Sequence, residues 1–111
     1  MELNQYSIVL VNLDPIPNVV ERNEIKKTRP CVILSPNEIN KFLKTIVIAP
    51  MTTNLKKYPT RVSVKHNDKK GMIAIDQIRT INKGRILKRF DCLTKSEIAN
   101  CKSIIKETFV D

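Results

Sequence analysis

The sequence contains very little glycine: Gly71 and Gly84 are the two glycines among its 111 residues. Loops that cradle phosphate need closely spaced glycines, and neither a Walker loop nor a G-x-G-x-x-G run is present. The H-E-x-x-H and G-x-S-x-G patterns of metal-dependent and serine hydrolases are also missing. Nucleotide-cofactor and metal chemistry are therefore disfavoured, and we expect neither a cofactor nor a metal site.

Histidine is scarcer still, because His66 is the one histidine of the chain. An acid/base nuclease that uses two histidines is therefore excluded unless two subunits contribute one each. The run from His66 to Gly71 is rich in turn-forming residues. We interpret His66 as a solvated residue of this polar turn rather than as a functional group.

Long hydrophobic runs and paired cysteines are lacking as well. No apolar stretch approaches the ~18 residues of a membrane span, and the N-terminus has no basic segment followed by an apolar one. Cys31, Cys92 and Cys101 are odd in number and have no C-x-x-C spacing, which fits reduced thiols in a core. We expect a cytoplasmic protein with no membrane partner.

Acidic residues are outnumbered by basic ones. The chain has 20 Lys and Arg against 11 Asp and Glu, so its formal net charge is +9. Such an excess favours a polyanionic partner. Nucleic acid, an acidic protein tail and an anionic membrane surface all satisfy this condition.

Short apolar, β-branched runs separated by turn residues predict a mainly β protein. The pattern indicates six or seven strands, at residues 7–13, 31–34, 45–49, 60–65, 72–75, 78–81 and 85–90. A capping box from Ser35 to Glu38, with Pro36 as first helical residue, predicts a short helix, and a second box at Thr94 and Glu97 predicts a C-terminal helix. We predict one domain, residues 1–111, folded as a small, strongly bent β-barrel with these two helices appended.

The segment from Glu24 to Ser35 contains the clearest candidate site. Its apolar run from Cys31 to Leu34 predicts a core strand that is covered on both faces. Pro30 restricts Arg29 to extended geometry, so the guanidinium is aimed outward from the strand mouth, where it suits a phosphate or a carboxylate. A long irregular loop, residues 14–28, delivers Glu24 to the same place.

Several segments resemble, in order, the motifs of the MazF/PemK toxin family. They are Asn12–Pro15, Glu24–Ser35, Asn40, Ala49–Thr53, Tyr58–Val62 and Asp76–Ile81. The resemblance is collinear from Ile8 through the terminal helix. It implies an SH3-like barrel that forms a homodimer and acts as the toxin of a type II toxin–antitoxin system.

The resemblance further implies metal-independent, sequence-specific cleavage of single-stranded RNA (mRNA). The 2′-OH of the RNA attacks the neighbouring phosphate and leaves a cyclic phosphate and a 5′-OH. The family's inhibitor is an antitoxin with an acidic, flexible tail that occupies the RNA groove. By motif position, the functional residues fall on Arg29, Glu24, Thr52 and Asp76.

Each of these four residues suits part of that reaction. Arg29 is the best charge stabiliser, because a guanidinium is a poor acid or base at neutral pH. Thr52 is a hydroxyl donor to a phosphate oxygen, and either Glu24 or Asp76 is a proton acceptor. The alternatives are structural: an Arg29–Glu24 ion pair, a turn hydroxyl at Thr52 and a backbone acceptor at Asp76.

Basic and polar residues at loops and strand ends are candidate RNA contacts. They are Lys26, Lys27, Thr53, Lys56, Lys57, Gln77 and Arg79, with Tyr58 or Phe42 available for base stacking. For Lys69 and Lys70 a solvated rim is the better interpretation. Two alternatives stay open: a non-catalytic toxin of the same fold that binds a protein target such as DNA gyrase, and a plain nucleic-acid-binding barrel.

Two departures from the family pattern concern the site. The loop at residues 16–23 is longer than usual and lacks glycine, which leaves part of the RNA-facing wall unassigned. Ala74 stands two residues before Asp76, where some members have a basic residue. A mechanism that needs an arginine at that position is therefore excluded here.

Overall fold

The computed structural model describes residues 2–13 and 28–110. Over these residues it contains seven strands and two α-helices. They are β1 (Ser7–Asn12), β2 (Thr28–Ile33), α1 (Asn37–Phe42), β3 (Thr45–Thr52), β4 (Arg61–His66), β5 (Lys69–Ala74), β6 (Arg79–Asn82), β7 (Ile86–Cys92) and α2 (Lys95–Phe109). Two short 3₁₀ turns, Ile75–Gln77 and Lys83–Arg85, flank β6.

The strands form one curled, antiparallel sheet of half-barrel shape. Its order is β4-β5-β3-β2-β1-β7, and β6 pairs with the first half of β3. β3 lies at the bend of the sheet, because it pairs with β6, then with β2, and finally with β5 through Met51 and Thr52. The prediction of a mainly β, strongly bent barrel is confirmed.

The core has two apolar clusters, one on each face of the central strands. Alternate residues of β2 supply both clusters: Val32 joins the first, while Cys31 and Ile33 join the second. All three side chains are fully buried. The prediction that this run is covered on both faces is therefore confirmed, and the strand that carries Arg29 is firmly anchored.

The C-terminal helix begins and packs as predicted. Thr94 Oγ1 accepts a hydrogen bond from Glu97 N, and Glu97 Oε1 accepts one from Thr94 N. Cys101 is fully buried in the first cluster, against which Ile98 and Ile104 also pack. No helix in the described ranges is long and apolar enough to cross a membrane.

The predicted capping box at Ser35 is wrong. The N-cap of α1 is Pro36, and no side chain caps it. Ser35 Oγ instead donates to Asn40 Oδ1 at 2.5 Å and accepts from Val47 N at 3.1 Å. Asn40 is 4% exposed, and its buried amide requires these partners more than the solvated helix terminus requires a cap.

Two predicted strand boundaries also differ from the structure. β3 does not stop at Pro50 but continues to Thr52, with Pro50 paired to Cys31. Only alternate residues of an antiparallel strand donate to a given neighbour, so a proline is tolerated at some positions. The predicted turn at residues 66–71 is reduced to Asn67 and Asp68, whose φ angles of 52° and 61° match the two-residue turn of a tight hairpin.

Two predictions about single side chains are wrong as well. His66 is not a solvated turn residue, because it ends β4 and is half-buried beside Phe90. The sequence also predicts that both Ile86 and Leu87 pack β7 against the core, but the Leu87 side chain is 53% exposed. Successive residues of a strand point to opposite faces, so Ile86 packs against the second cluster and Leu87 lies on the outer face.

Candidate functional site

Arg29 lies at the exposed start of a strand whose other end is completely buried. β2 begins at Thr28, Arg29 is solvent-exposed, and Cys31 to Ile33 are 0% exposed. Arg29 pairs with Val11 across β1, which holds its backbone in place. The predicted position of Arg29 at the start of an anchored strand is confirmed, and its action on a phosphate stays a prediction.

Thr52 lies near the start of the strand that carries Arg29. The pairing of β2 with β3 ends at Cys31–Pro50, and Thr52 pairs with Met72 of β5 instead. Pro30, the residue that follows Arg29, lines one cavity together with Thr52. The fold therefore places Thr52 and the immediate neighbour of Arg29 at the same cavity.

Arg79 joins the same region through β6. It pairs with Ile48 of β3, and its charge and that of Arg29 both act on the Cys31 thiol. Burial raises the pKa of Cys31 to about 12, although both guanidiniums oppose the shift. Two guanidiniums thus lie within electrostatic reach of one point in the sheet, and a pair of such groups suits a phosphate.

Within the described residues, the hydroxyl of Thr52 accepts one hydrogen bond from a backbone N–H. Thr52 Oγ1 accepts from Asn54 N at 3.1 Å, and Asn54 Oδ1 accepts from Lys56 N at 3.0 Å. These local bonds order the corner that follows β3. Because Oγ1 is the acceptor in this bond, its hydrogen is available to a phosphate oxygen.

Asp76 lies in a second polar cluster at the start of β4. Its Oδ1 accepts from Thr60 Oγ1 and from Arg61 Nε, both at 3.0 Å. Desolvation raises the pKa of the Asp76 carboxyl, but the hydrogen bonds from Arg61 and Thr60 outweigh it, and the net pKa is below the ordinary value of 3.8. Asp76 is therefore a weaker base than an ordinary aspartate.

Tyr58 links this cluster to the basic loop before it. The guanidinium carbon of Arg61 lies 5.1 Å from the centre of the Tyr58 ring, and Lys56 Nζ lies 5.3 Å from it. Tyr58 itself is 43% exposed. A partly open aromatic ring between two cations is a surface on which an RNA base can stack.

Sequence reasoning assigned no role to Arg61, although the signal was present. The two-residue turn at Asn67 and Asp68 fixes the β4–β5 register, which pairs Arg61 with Ala74. Asp76 follows two residues later, so a hairpin argument places its carboxylate within reach of Arg61. A turn of six residues, as the sequence predicts at 66–71, gives a different register, and the pairing of Asp76 with Arg61 does not follow from it.

The other predicted contacts fall into two groups. Thr53, Lys57 and Gln77 are exposed on the surface. Glu24, Lys26 and Lys27 lie outside the described residues, so their roles stay predictions. In residues 2–13 and 28–110, no group of three or more His, Cys, Asp or Glu side chains is arranged to hold a metal ion.

Solved structures share the fold of this chain. One is a MazE–MazF complex from Deinococcus radiodurans, with a TM-score of 0.80, 20% identity, and coverage of 96% of this chain and 95% of that chain. Another is an endoribonuclease in complex with its cognate antitoxin from a mycobacterial species, with a TM-score of 0.76, 18% identity, and coverage of 94% and 91%. At these identities the likeness concerns the fold.

Sequence comparison goes further than the fold. The chain is 31% identical over 97 residues to the endoribonuclease MazF of Staphylococcus epidermidis, covering 82% of this chain and 78% of that protein. A family model described as the PemK-like, MazF-like toxin of type II toxin–antitoxin systems matches residues 4–109. Because this family model matches nearly the whole length, the chain belongs to the PemK-like, MazF-like toxin family.

Proposed function

We propose that this toxin is a metal-independent, sequence-specific endoribonuclease that cleaves single-stranded mRNA. The 2′-OH of one nucleotide attacks the adjacent phosphate, the bond to the 5′-oxygen breaks, and the products are a cyclic phosphate and a 5′-OH. The observation that supports the proposal is the exposed Arg29 at the start of an anchored strand, next to Pro30, which lines the same cavity as Thr52. The endoribonuclease relative from Staphylococcus epidermidis supports the same activity.

Arg29 and Thr52 act on the phosphate. Negative charge accumulates on the non-bridging oxygens as the 2′-oxygen attacks, and the guanidinium of Arg29 stabilises it with two parallel donors. Thr52 donates its free hydroxyl hydrogen to a phosphate oxygen. Both groups belong to strands that are anchored by buried residues, Cys31 to Ile33 in β2 and Ile48, Ala49 and Met51 in β3, so little reorganisation accompanies the reaction.

Glu24 is the favoured proton acceptor for the attacking 2′-OH. Asp76 was an equal candidate from sequence, but its lowered pKa and its bonds to Arg61 and Thr60 make it a weaker base. We assign Asp76 a positioning role in which it holds Arg61 against Tyr58. The RNA backbone then lies along Lys26, Lys27, Lys56, Lys57 and Arg79, with Thr53 and Gln77 as further polar contacts.

The same cations suit an acidic antitoxin tail. The net charge of +9 attracts any flexible polyanion, and the homologous folds from Deinococcus radiodurans and a mycobacterial species were solved with their antitoxins. We propose that a cognate antitoxin inhibits this toxin by covering Arg29 and the basic loop residues. Inhibition is then competitive with RNA and weakens as salt is added.

We propose a homodimer as the working assembly. Helix α1 leaves Phe42 84% exposed and Leu43 51% exposed, which is unusual for large apolar side chains in a monomer. Two-fold association buries such a surface. Sedimentation tests this directly, and a stable monomer at micromolar concentration contradicts it.

The activity test is digestion of a long single-stranded RNA in EDTA. We expect discrete cuts with cyclic phosphate and 5′-OH ends, and a loss of about 10²–10³ in rate for Arg29→Ala, the usual effect of removing one transition-state donor. Arg29→Lys should also be impaired, because an ammonium does not reproduce the planar fork. Lys102→Ala, an exposed residue on α2, is the control. Absent cuts, or cuts that survive Arg29→Ala, contradict the proposal.

A further inference from the structure

The curled sheet is bridged at one place by two aromatic rings. His66 ends β4 and Phe90 belongs to β7, and these two strands are the opposite edges of the sheet order. Their ring centroids are 4.8 Å apart at an interplanar angle of 67°, an edge-to-face contact. Both side chains are half-buried, so part of each ring remains accessible.

A cavity of about 270 Å³ opens beside this ring pair. We call it the seam cavity, and its lining includes Thr52, Thr53, His66, Lys69, Lys70 and Phe90. Its volume is near the lower end of the ~300–1,000 Å³ found for drug-sized ligands, so it suits one base rather than a longer segment. Because Thr52 borders it, the seam cavity is continuous with the candidate cleavage site.

Two lysines line the seam cavity beside its aromatic rings. The hairpin register pairs Lys69 with His66 and Lys70 with Lys65, so these lysines are held by the strands rather than by a loose loop. Outside the lining, Lys88 Nζ lies 5.2 Å from the centre of the Phe90 ring. Rings flanked by lysines match the two parts of a nucleotide, a flat base and a charged phosphate.

We propose that the seam cavity is a base-stacking subsite for an RNA nucleotide that flanks the scissile phosphate. The base packs on Phe90 and His66, and its phosphates contact Lys69 and Lys70. The inference rests on the proposed ribonuclease function. The proposal gives His66, Lys69 and Lys70 a role in RNA binding, whereas the sequence alone indicates a solvated histidine and two solvated lysines.

An RNA occupant fits the lining better than an acidic peptide does. A carboxylate chain is attracted by the lysines but gains nothing from aromatic faces. Every nucleobase has a π-face, and its stacking on an aromatic side chain tolerates changes of sequence. The ring pair therefore favours RNA, and the peptide is the alternative that the experiment tests.

The first measurement is binding of a mixed-sequence 2′-O-methyl RNA 12-mer, which lacks the attacking hydroxyl and is not cleaved. Phe90→Leu keeps an apolar core side chain but removes the ring, and we expect about 5- to 150-fold weaker binding, the range of base–aromatic stacking. Phe109→Leu, an exposed phenylalanine on α2, is the matched control and should bind as the parent protein does. Unchanged binding by Phe90→Leu overturns the proposal.

The second measurement uses the unsubstituted protein and does not depend on any variant folding. His66 is the one histidine of the chain, so its imidazole protons give a single set of resonances in the NMR spectrum. Stacking should shift these resonances upfield on addition of the 12-mer, while an oligoglutamate peptide should leave them in place. The proposal is overturned if the RNA leaves these resonances unshifted, or if the peptide shifts them by as much as the RNA does.

The two proposals fail in different ways. If the protein cuts no RNA but Phe90→Leu weakens binding of the 12-mer, the cleavage assignment fails and the seam cavity is an RNA-binding site without a scissile phosphate beside it. If the protein cuts RNA while the 12-mer leaves the His66 resonances unshifted, the subsite fails and the cleavage assignment stands.

Discussion

The carboxylate of Asp76 accepts a hydrogen bond from Arg61 Nε at 3.0 Å. The pair joins the 3₁₀ turn after β5 to the first residue of β4, the neighbouring strand of the hairpin. Arg61 in turn lies against Tyr58, so the ion pair fixes the position of an aromatic ring near the candidate site. This relationship explains why a carboxylate at residue 76 matters even if it transfers no proton.

Asp76→Asn should destabilise the protein in a pH-dependent way. The pKa of Asp76 is lowered in the folded protein, so its contribution is present above the ordinary value of 3.8 and is lost as the pH falls through the lowered folded value. Because the side chain is 38% exposed, we expect the effect on the free energy of unfolding at pH 7 to be no more than about 1 kcal/mol.

Urea denaturation of parent protein and variant at pH 7 and at pH values below 3.8 measures this difference. Asp91→Asn, at an exposed aspartate of β7, is the control. We expect the difference in free energy of unfolding between parent protein and Asp76→Asn to shrink as the pH falls. A difference that grows instead would contradict the prediction.

Thr52→Val should lower cleavage by about 10²–10³, the range for loss of a single transition-state donor. The variant keeps the shape of the side chain but loses both the donor to phosphate and the bond from Asn54 N. Thr52→Ser keeps the hydroxyl and should retain most activity. Single-turnover cleavage rates measure the effect, with Thr80→Val on β6 as control, and equal rates for the serine and valine variants would exclude a hydroxyl role.

Gly71→Ala should disturb the candidate site through the backbone of Thr52. A Cβ at residue 71 would lie 3.0 Å from the carbonyl oxygen of Thr52, so β3 or β5 must shift. We expect a loss of about 1–3 kcal/mol in the free energy of unfolding, typical of overpacking, together with slower cleavage.

Gly84→Ala is the matched control, because its Cβ would meet the end of the Asn82 side chain at 3.1 Å rather than a strand backbone. Thermal denaturation and cleavage rates together test the pair. If Gly84→Ala lowers the free energy of unfolding more than Gly71→Ala does, the close approach of residue 71 to the Thr52 backbone is not the source of the instability.

Thiol reagents should modify one cysteine of the native protein quickly. Cys92 is exposed, whereas Cys31 and Cys101 are both 0% exposed. Burial raises the pKa of Cys31 to about 12 and that of Cys101 to about 11, so neither forms much thiolate near neutral pH. Labelling with Ellman's reagent should therefore release one equivalent rapidly and two more after unfolding, and the fast phase should vanish in Cys92→Ser.

Local signals predicted the elements whose partners lie close in the chain. Thr94 and Glu97 form their capping box within one helical turn, and the apolar run is fully buried from Cys31 to Ile33. The similar signal at Ser35 failed, because Asn40 and the backbone of Val47 competed for the same hydroxyl. A capping pattern predicts a helix start only where no buried polar group needs the side chain.

The sequence by itself determined the β class, the basic charge, the anchored strand behind Arg29 and the family resemblance, because these depend on composition, periodicity and short spacing. Tertiary structure alone decided that Thr52 shares a cavity with Pro30, the neighbour of Arg29, that Asp76 pairs with Arg61 and that His66 meets Phe90 across the two sheet edges. These contacts depend on strand register and on the curl of the sheet. Register is a global property, since a shift of one residue moves every side chain of a strand to the opposite face.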